Sequence, residues 1–447
     1  MKQLFGTDGI RGLAGEFPLD EPTVRIIAAS LVRHFRERLG RDPKFVCGRD
    51  TRESGSWIQD AIFSGILAEN GQCRSAGVIT TPGVAYVTKE FDYDAGIVIS
   101  ASHNPFRDNG IKIFLPSGMK IDEATERLIE KDIFAKIVPD PADQPEIDKE
   151  SEAFFRLAYS AHLSAAASEV KLNHYRLVID CANGAASSFA QSVFANFGGG
   201  VVVINNEPDG RNINENCGSL HLEVLRERVL AEKADVGIAF DGDADRALFI
   251  DETGAIVDGD ATLWIMARYL KDHGKLVNSK VVATVMSNIG LEIALRSAGI
   301  ELLRTSVGDK YVLEKLVETS SEVGGEQSGH IIFPEKSLVG DGMMTALLML
   351  RAISERGLSL AEAVKGFTAY PQILLNVKVA EKRPFHEVAE IAEAAAVVEK
   401  ELEGQGRLLL RYSGTENLAR VMIEGKEQSE IESQAARIAD VIKSSLG

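Results

Sequence analysis

The sequence predicts an α/β protein: three related α/β domains with mainly parallel sheets, followed by a smaller C-terminal α+β domain. Three observations carry this prediction. A short apolar run, a polar loop and an amphipathic helical stretch recur three times in the same order. Each recurrence ends in an unusual polar loop at the corresponding point. After about Pro371 the pattern changes.

The first unit begins at residues 44–70 (KFVCGRDTRESGSWIQDAIFSGILAEN), and residues 175–197 (YRLVIDCANGAASSFAQSVFANF) and 280–299 (KVVATVMSNIGLEIALRSAG) repeat its order. A second short run and polar loop follow in each: GVITTP from Gly77, VVVINNEPDG from Val201 and ELLRTSVGD from Glu301. The third runs end in DAGIVISASHNP from Asp94, DVGIAFDGDADR from Asp235 and EVGGEQSGH from Glu322. Alternating strand and helix signals at this spacing indicate β-α-β units with parallel strands. Ligands gather at the carboxyl ends of such strands, where these loops fall.

The tail reads ILLNVKVA, an Ala- and Glu-rich helix from His386 to Glu403, LLLRYSGTEN, RVMIEG and a last helix to Gly447. Two strands flanking turns and two helices fit a small α+β domain. The expected domains are 1–155, 156–255, 256–370 and 371–447, with residues 138–150, rich in Pro and acid, as an exposed connection.

A chain of 447 residues is too long for one core, and 45% hydrophobic with 26% charged residues is ordinary for a soluble globular protein. No run approaches the roughly 18 apolar residues of a membrane span, and Met1–Gly12 has no apolar signal core, so a cytoplasmic location and no membrane partner are expected. Cys47, Cys73, Cys181 and Cys217 are far apart with no C-x-x-C pair, which reads as reduced thiols. A net charge of −17 argues against a nucleic-acid partner but leaves room for a small phosphorylated ligand held by a few arginines. A homodimer is left open.

Four loops carry chemistry. Asp241-Gly242-Asp243-Ala244-Asp245-Arg246 places alternate carboxylates on a tight turn, suited to a hard cation such as Mg²⁺ or Ca²⁺. A calcium-binding helix-loop-helix is excluded, because its sixth position is Arg246 rather than Gly and its flanks read as strand. A phosphatase with an aspartyl nucleophile shares the D-x-D arrangement and remains a rival. Ser100-Ala101-Ser102-His103-Asn104-Pro105 presents a serine at a strand end, where exposure for reaction is expected. No G-x-S-x-G surrounds Ser102, so an acyl-transfer triad is not indicated.

Glu326-Gln327-Ser328-Gly329-His330 offers carboxylate, amide, hydroxyl and imidazole to a polyol, with Gly324, Gly325 and Gly329 allowing close backbone approach. Arg411-Tyr412-Ser413-Gly414-Thr415-Glu416-Asn417 combines backbone N–H groups around Gly414, two hydroxyls and a guanidinium into a phosphate nest. No G-x-x-x-x-G-K-[ST] occurs, so nucleoside triphosphate use is not indicated. A metal loop, a nucleophile, a polyol grip and a phosphate anchor together point to phosphoryl transfer, which needs mostly positioning and charge neutralisation.

With these motifs and Gly6-Thr7-Asp8-Gly9-Ile10-Arg11-Gly12, the sequence resembles the α-D-phosphohexomutase superfamily over essentially its whole length. FGTDGIRG, GIVISASHNPFRDNGIK and Gln327 liken it most to the bacterial members that act on glucosamine phosphates. The resemblance implies four domains around a central cleft and conversion of glucosamine 6-phosphate to glucosamine 1-phosphate through a 1,6-bisphosphate. It implies Ser102 as phosphoserine, completing a Mg²⁺ site of Asp241, Asp243 and Asp245, with Arg246 near the transferred group. Glu326 and Ser328 would contact sugar hydroxyls, and Arg411, Ser413, Gly414, Thr415 and Arg420 would hold the distant phosphate. His103, Lys112, Arg11 and His330 are the candidates for proton transfer, with no choice among them.

Three departures from the family pattern bear on the outer loops. Asn417 stands where Pro is usual, Tyr412 where a basic residue is common, and Lys310 where Arg is frequent. The rival readings are a glucose or mannose phosphate mutase of the same superfamily, a metal-dependent phosphatase, and a phosphosugar sensor without catalysis.

Overall fold

The computed structural model describes residues 3–142, 148–166, 175–195, 200–413 and 417–447. The chain divides into two compact units, one of residues 1–286 and 302–365, the other of 287–301 and 366–447.

The first sheet of the larger unit runs Phe5–Gly6, Gly9–Leu13, Asp108–Phe114, Ala95–Ile99, Lys44–Arg49, Gln72–Val78. Lys44–Arg49 is parallel to both Ala95–Ile99 and Gln72–Val78, and Asp108–Phe114 returns antiparallel to Ala95–Ile99. The second sheet repeats the plan. Arg176–Asp180 is parallel to Gly200–Ile204 and Val236–Phe240, and Ala247–Asp251 returns antiparallel. The third is shorter, with Lys280–Thr284 parallel to Gly324–Gly325, which pairs antiparallel with Ile331–Ile332. Each sheet is thus parallel where the loops of interest leave it and antiparallel at the return.

The key strands are apolar on both faces because both faces are covered. Every residue of AGIVI (Ala95–Ile99) and VGIAF (Val236–Phe240) is buried. The helix Glu21–Leu39 shows how local chemistry sets the ends of a covering element. Asp20 accepts from Thr23 N–H at its start, and Gly40, at φ +68°, donates to Arg36 O at its end. Its buried residues Val24, Ile27, Leu31 and Phe35 join Phe45, Ile97 and Ile99 in one core. Replacing Ile97 by Ala there would cost about 2–5 kcal/mol.

The smaller unit contains a three-stranded antiparallel sheet, Gln372–Lys378, Leu418–Glu424, Arg407–Tyr412, one strand more than the two expected. Helix Gln428–Leu446 covers it with a stripe of Ile431, Ala435, Ile438, Ile442 and Leu446, the spacing of one helical face. Segment 287–301 is tied in here: Ile289 N–H donates to Glu424 Oε2 at 3.1 Å, and Arg407 donates to Ser287 O at 3.0 Å. The four cysteines are free thiols, and no helix among the described residues is long and apolar enough to cross a membrane.

Candidate active site

Ser102 follows the strand Ala95–Ile99, and Asp241, Asp243 and Asp245 follow Val236–Phe240. Two equivalent strand ends therefore face each other across the larger unit. Ser102 Oγ donates to Asp241 Oδ2 at 2.5 Å, joining residues 139 apart in sequence. The exposed serine expected from sequence is corrected: Ser102 is only 1% accessible, with Asp241 beneath its hydroxyl and Gly242 against its carbonyl. A Cβ on Gly242 would come within 2.6 Å of Ser102 O, so that loop position requires glycine. Ser102 itself adopts φ +54°, a left-handed conformation costly for a side-chain-bearing residue. His103 Nδ1 lies 3.2 Å from Ser102 Oγ.

The three aspartates are buried, and one ligand oxygen from each lies within 4.8 Å of the others. Thr81 Oγ1 donates to Asp243 Oδ2 at 2.6 Å, and Lys112 Nζ reaches Asp243 Oδ2 at 2.9 Å and Asp245 Oδ2 at 3.3 Å. Asp243 Oδ1 and Asp245 Oδ1 are buried with no hydrogen-bond partner among the described residues. Burial, then the charges of Asp245 and Asp243, hold the Asp241 pKa well above the usual carboxylate range. Burial opposes the charge on Asp245 too, but Lys112, His330 and Arg246 outweigh it and depress its pKa. A cluster whose ligand atoms are all carboxylate oxygens, with orphaned buried lone pairs on Asp243 and Asp245, fits a hard divalent cation.

Cationic side chains surround this cluster. Burial disfavours the Lys112 ammonium, yet Asp243, Asp8 and Asp245 outweigh it and raise its pKa well above normal. Burial, with Arg246 and Arg11 nearby, lowers the His103 pKa to about 4. Arg11 pairs with Asp8 and donates to Ala101 O at 3.4 Å. Arg246 Nε lies 3.8 Å from Asp245 Oδ1. Arg11 and Arg246 line a cavity of about 400 Å³ together with Asp8, Asp245, Asp309, Glu326 and His330, among others.

The side chains of residues 326–330 make different contacts. Glu326 lines the cavity and accepts from Gly308 N–H at 3.2 Å. Ser328 Oγ is buried without a hydrogen-bond partner among the described residues. The Gln327 amide instead donates to Asp258 Oδ2 at 3.1 Å, the residue that caps helix Gly259–Asp272. His330 accepts from Gly340 N–H on Nε2 at 3.2 Å and turns Nδ1 towards Asp245 Oδ1 at 3.7 Å. Gly329 has φ +91°, and a Cβ there would meet Ala247 O at 2.4 Å. Gly324 and Gly325 serve strand packing instead, each facing a neighbouring carbonyl.

In the smaller unit, Arg411 and Arg420 are direct cross-strand partners. Among the described residues neither has an acid partner, and burial with the neighbouring Arg420 lowers the Arg411 pKa. Paired like charges opposite one another are unfavourable without an anion between them. Ser413 is buried and pairs with Leu418, whereas Gly414 and Thr415 lie outside the described residues. Tyr412, in place of a basic residue, stacks on Phe385 at 4.3 Å and donates to Arg383 O at 2.6 Å. Asn417 O accepts from Val379 N–H, and Lys310 Nζ lies 3.5 Å from Glu123 Oε1.

Sequence reading misses Asp8, Thr81, Lys120 and Asp309 as site residues. Lys120 bridges Asp8 Oδ1 at 2.7 Å and Asp309 at 2.8 Å. Asp8 has a signal, since it sits in the Gly6–Gly12 motif. Thr81 lies in the GVITTP run, a loop at the right place in the repeat but with no motif to mark its role.

A serine held against a buried carboxylate cluster, on three α/β sheets followed by an α+β domain, defines a protein of the phosphohexomutase class. Comparison with known proteins narrows it: the chain belongs to the phosphoglucomutase/phosphomannomutase family. Its α/β/α domains I, II and III match residues 2–138, 157–254 and 258–370, and its C-terminal domain matches 374–441. It is 48% identical to a phosphoglucosamine mutase of Solibacter usitatus over 100% of this chain and 99% of that one. It is 45% identical to that of Koribacter versatilis, over 100% and 98%. Among solved structures, a phosphoglucomutase/phosphomannomutase family protein from Burkholderia thailandensis shares the fold with TM-score 0.80 and 22% identity, covering 100% and 98%. An Aspergillus fumigatus N-acetylphosphoglucosamine mutase does so with TM-score 0.64 and 19% identity, covering 99% and 96%.

Proposed function

We propose that this chain is a cytoplasmic phosphosugar mutase that interconverts glucosamine 6-phosphate and glucosamine 1-phosphate through a phosphorylated Ser102. The contact of Ser102 Oγ with the buried carboxylate cluster carries the reading, and the names of its full-length relatives support the substrate. Asp241, Asp243, Asp245 and a phosphate oxygen on Ser102 would hold Mg²⁺, which when bound neutralises charge at the transferred phosphoryl.

In the forward direction the sugar C1 hydroxyl attacks the phosphorus on Ser102. The new O–P bond forms as the bond to Ser102 Oγ breaks, and the displaced sugar proton ends on Ser102 Oγ. The 1,6-bisphosphate then reverses. Ser102 Oγ attacks the C6 phosphoryl, the C6 oxygen takes up the proton, and glucosamine 1-phosphate leaves with the phosphoserine restored. Arg11, Lys112 and Arg246 supply fixed positive charge around the transferring group, and His103 flanks the nucleophile. Glu326 accepts from sugar hydroxyls in either orientation, while Arg411, Arg420 and the Ser413–Thr415 loop recognise the distant phosphate. Phosphorus NMR of the purified chain with glucosamine 6-phosphate and Mg²⁺ tests the reading. It should show the 1-phosphate, with phosphate mapped to Ser102. Absence of that product, with another hexose phosphate turned over readily, would replace the substrate assignment.

A further inference from the structure

Among the buried polar groups near the site, Arg52 and Asn214 stand apart because both donate to backbone carbonyls of the serine loop itself. Arg52 has a fully buried side chain, rare for arginine, and it is paired with an equally buried Asp50. Its Nη2 donates to Ser102 O at 3.1 Å and to Asn104 O at 2.6 Å. Asn214 Nδ2, from a loop of the second sheet, donates to the same two carbonyls at 2.9 Å and 3.0 Å. Each carbonyl has two lone pairs, so four bonds from two side chains saturate both.

We propose that Arg52 and Asn214 are positioning residues for the phosphoryl-carrying loop, together clamping the carbonyls of Ser102 and Asn104 so that Ser102 Oγ stays aimed at Asp241. The proposal rests on the reading of Ser102 as the phosphoryl carrier. The loop needs such a clamp because Ser102 is held in a left-handed conformation that its own sequence does not favour. Both donors are themselves anchored. Asp50 Oδ1 accepts from Arg52 N–H at 3.0 Å, and Asn214 N–H donates to Ala182 O at 2.9 Å. The two donor segments are also tied to each other's sheets: Thr51 Oγ1 donates to Asn183 O at 2.6 Å, and Arg211 Nε donates to Glu53 Oε2 at 2.8 Å. The clamp thus couples the serine strand end to the second sheet through the backbone, without using the serine hydroxyl, which stays on Asp241.

The test uses full-length Asn214→Ala, Asn214→Asp and Arg52→Lys. Asn214→Asp keeps the shape but turns a donor into an acceptor facing two carbonyls. Arg52→Lys keeps the charge beside Asp50 but loses the planar fork. Displacing the serine should lower kcat for glucosamine 6-phosphate by about tenfold to a hundredfold, because small misplacements of a reacting group are costly. KM should stay near the wild-type value, since no clamp group touches substrate. Asn214→Asp should lose the most and Arg52→Lys the least. Turnover near wild type in both Asn214→Ala and Arg52→Lys would overturn the clamp. So would a loss of rate that only follows the loss of folded protein by circular dichroism, or a raised KM with kcat retained. Ser102→Ala measured alongside separates the two ideas. If it is active, the serine reading fails and the clamp with it; if it is inactive while the clamp variants run at full rate, the clamp alone fails.

Discussion

In the larger unit, three carboxylates are packed out of water beside Lys112 and under Ser102; in the smaller unit, Arg411 and Arg420 face each other across a strand pair with no acid partner among the described residues. The first arrangement is interlocked, with Thr81, Lys112 and Asp8 each holding a neighbour in place. The second is two like charges side by side, a state that an anion relieves. On the proposed function, the difference teaches how one reaction would separate its tasks. Bond-making needs atoms fixed to fractions of an ångström, so its groups are buried and cross-braced. Recognition of a phosphate that arrives from either end of a sugar needs charge and donors rather than a rigid fit.

The comparison breaks first at Ser102. If Ser102 carries the phosphoryl, as proposed, Ser102→Ala should lower turnover of glucosamine 6-phosphate by at least about a thousandfold. Intact-mass analysis of active wild type should find one phosphate, mapped to Ser102 and not to Asp241. Near-normal mutase activity in the variant would rule out Ser102 as the nucleophile, and release of free phosphate in place of the 1-phosphate would point to a phosphatase with an aspartyl nucleophile. Metal removal comes next. Exhaustive chelation should abolish turnover, Mg²⁺ should restore it, and Asp243→Asn should lower activity far more than stability, because the substitution relieves repulsion in the empty cluster. Retention of full activity after chelation would leave those carboxylates without a catalytic role.

A smaller effect is expected in the recognition half. Arg411→Ala removes charge-assisted hydrogen bonds worth about 1.5–3 kcal/mol, so kcat/KM should drop by roughly tenfold to a hundredfold. The drop should be similar for glucosamine and glucose phosphates, because phosphate is common to both. Glu326→Gln, which keeps shape and removes charge, should instead change the ratio between the two sugars. An Arg411 variant that altered the ratio would mean the phosphate anchor also reads the sugar.

What the sequence makes legible follows the same division. Ser102 and the three aspartates are readable because each sits in a compact local motif at a strand end, and the repeat order places those ends alike. The burial of Ser102 is not readable, because it depends on Asp241 arriving from 139 residues away. Arg52 and Asn214 are invisible for the same reason: a buried arginine and a loop asparagine gain meaning only when Ser102 O and Asn104 O meet them. Gln327 misleads in a different way. Its amide looks suited to a sugar, but the cap of helix Gly259–Asp272 uses it, and no local pattern announces that contact.

The smallest effect concerns what the burial of acids costs the larger unit, away from the chemistry. Asp341 is buried, with Oδ1 accepting from Met344 N–H and Oδ2 from Tyr159 Oη, both at 2.9 Å. Burial outweighs those hydrogen bonds and raises its pKa to about 6, above its ordinary 3.8. The folded chain therefore keeps a proton that the unfolded chain has already lost between these two values. Unfolding then releases a proton, so stability falls as pH rises through that window, and the full cost is in place above about pH 6. A pKa difference of that size corresponds to about 3 kcal/mol at most. Asp341→Asn keeps an acceptor oxygen for the helix cap, places an amide N–H that can donate to Tyr159 Oη, and cannot ionise. Relative to wild type, its urea midpoint should therefore improve as pH is raised from about 5 to about 7.5, whatever its absolute value at the lower pH. A difference that stays constant or shrinks over that range would show that Asp341 is charged without cost where it lies, and that the burial of acids in this unit is compensated locally rather than tolerated.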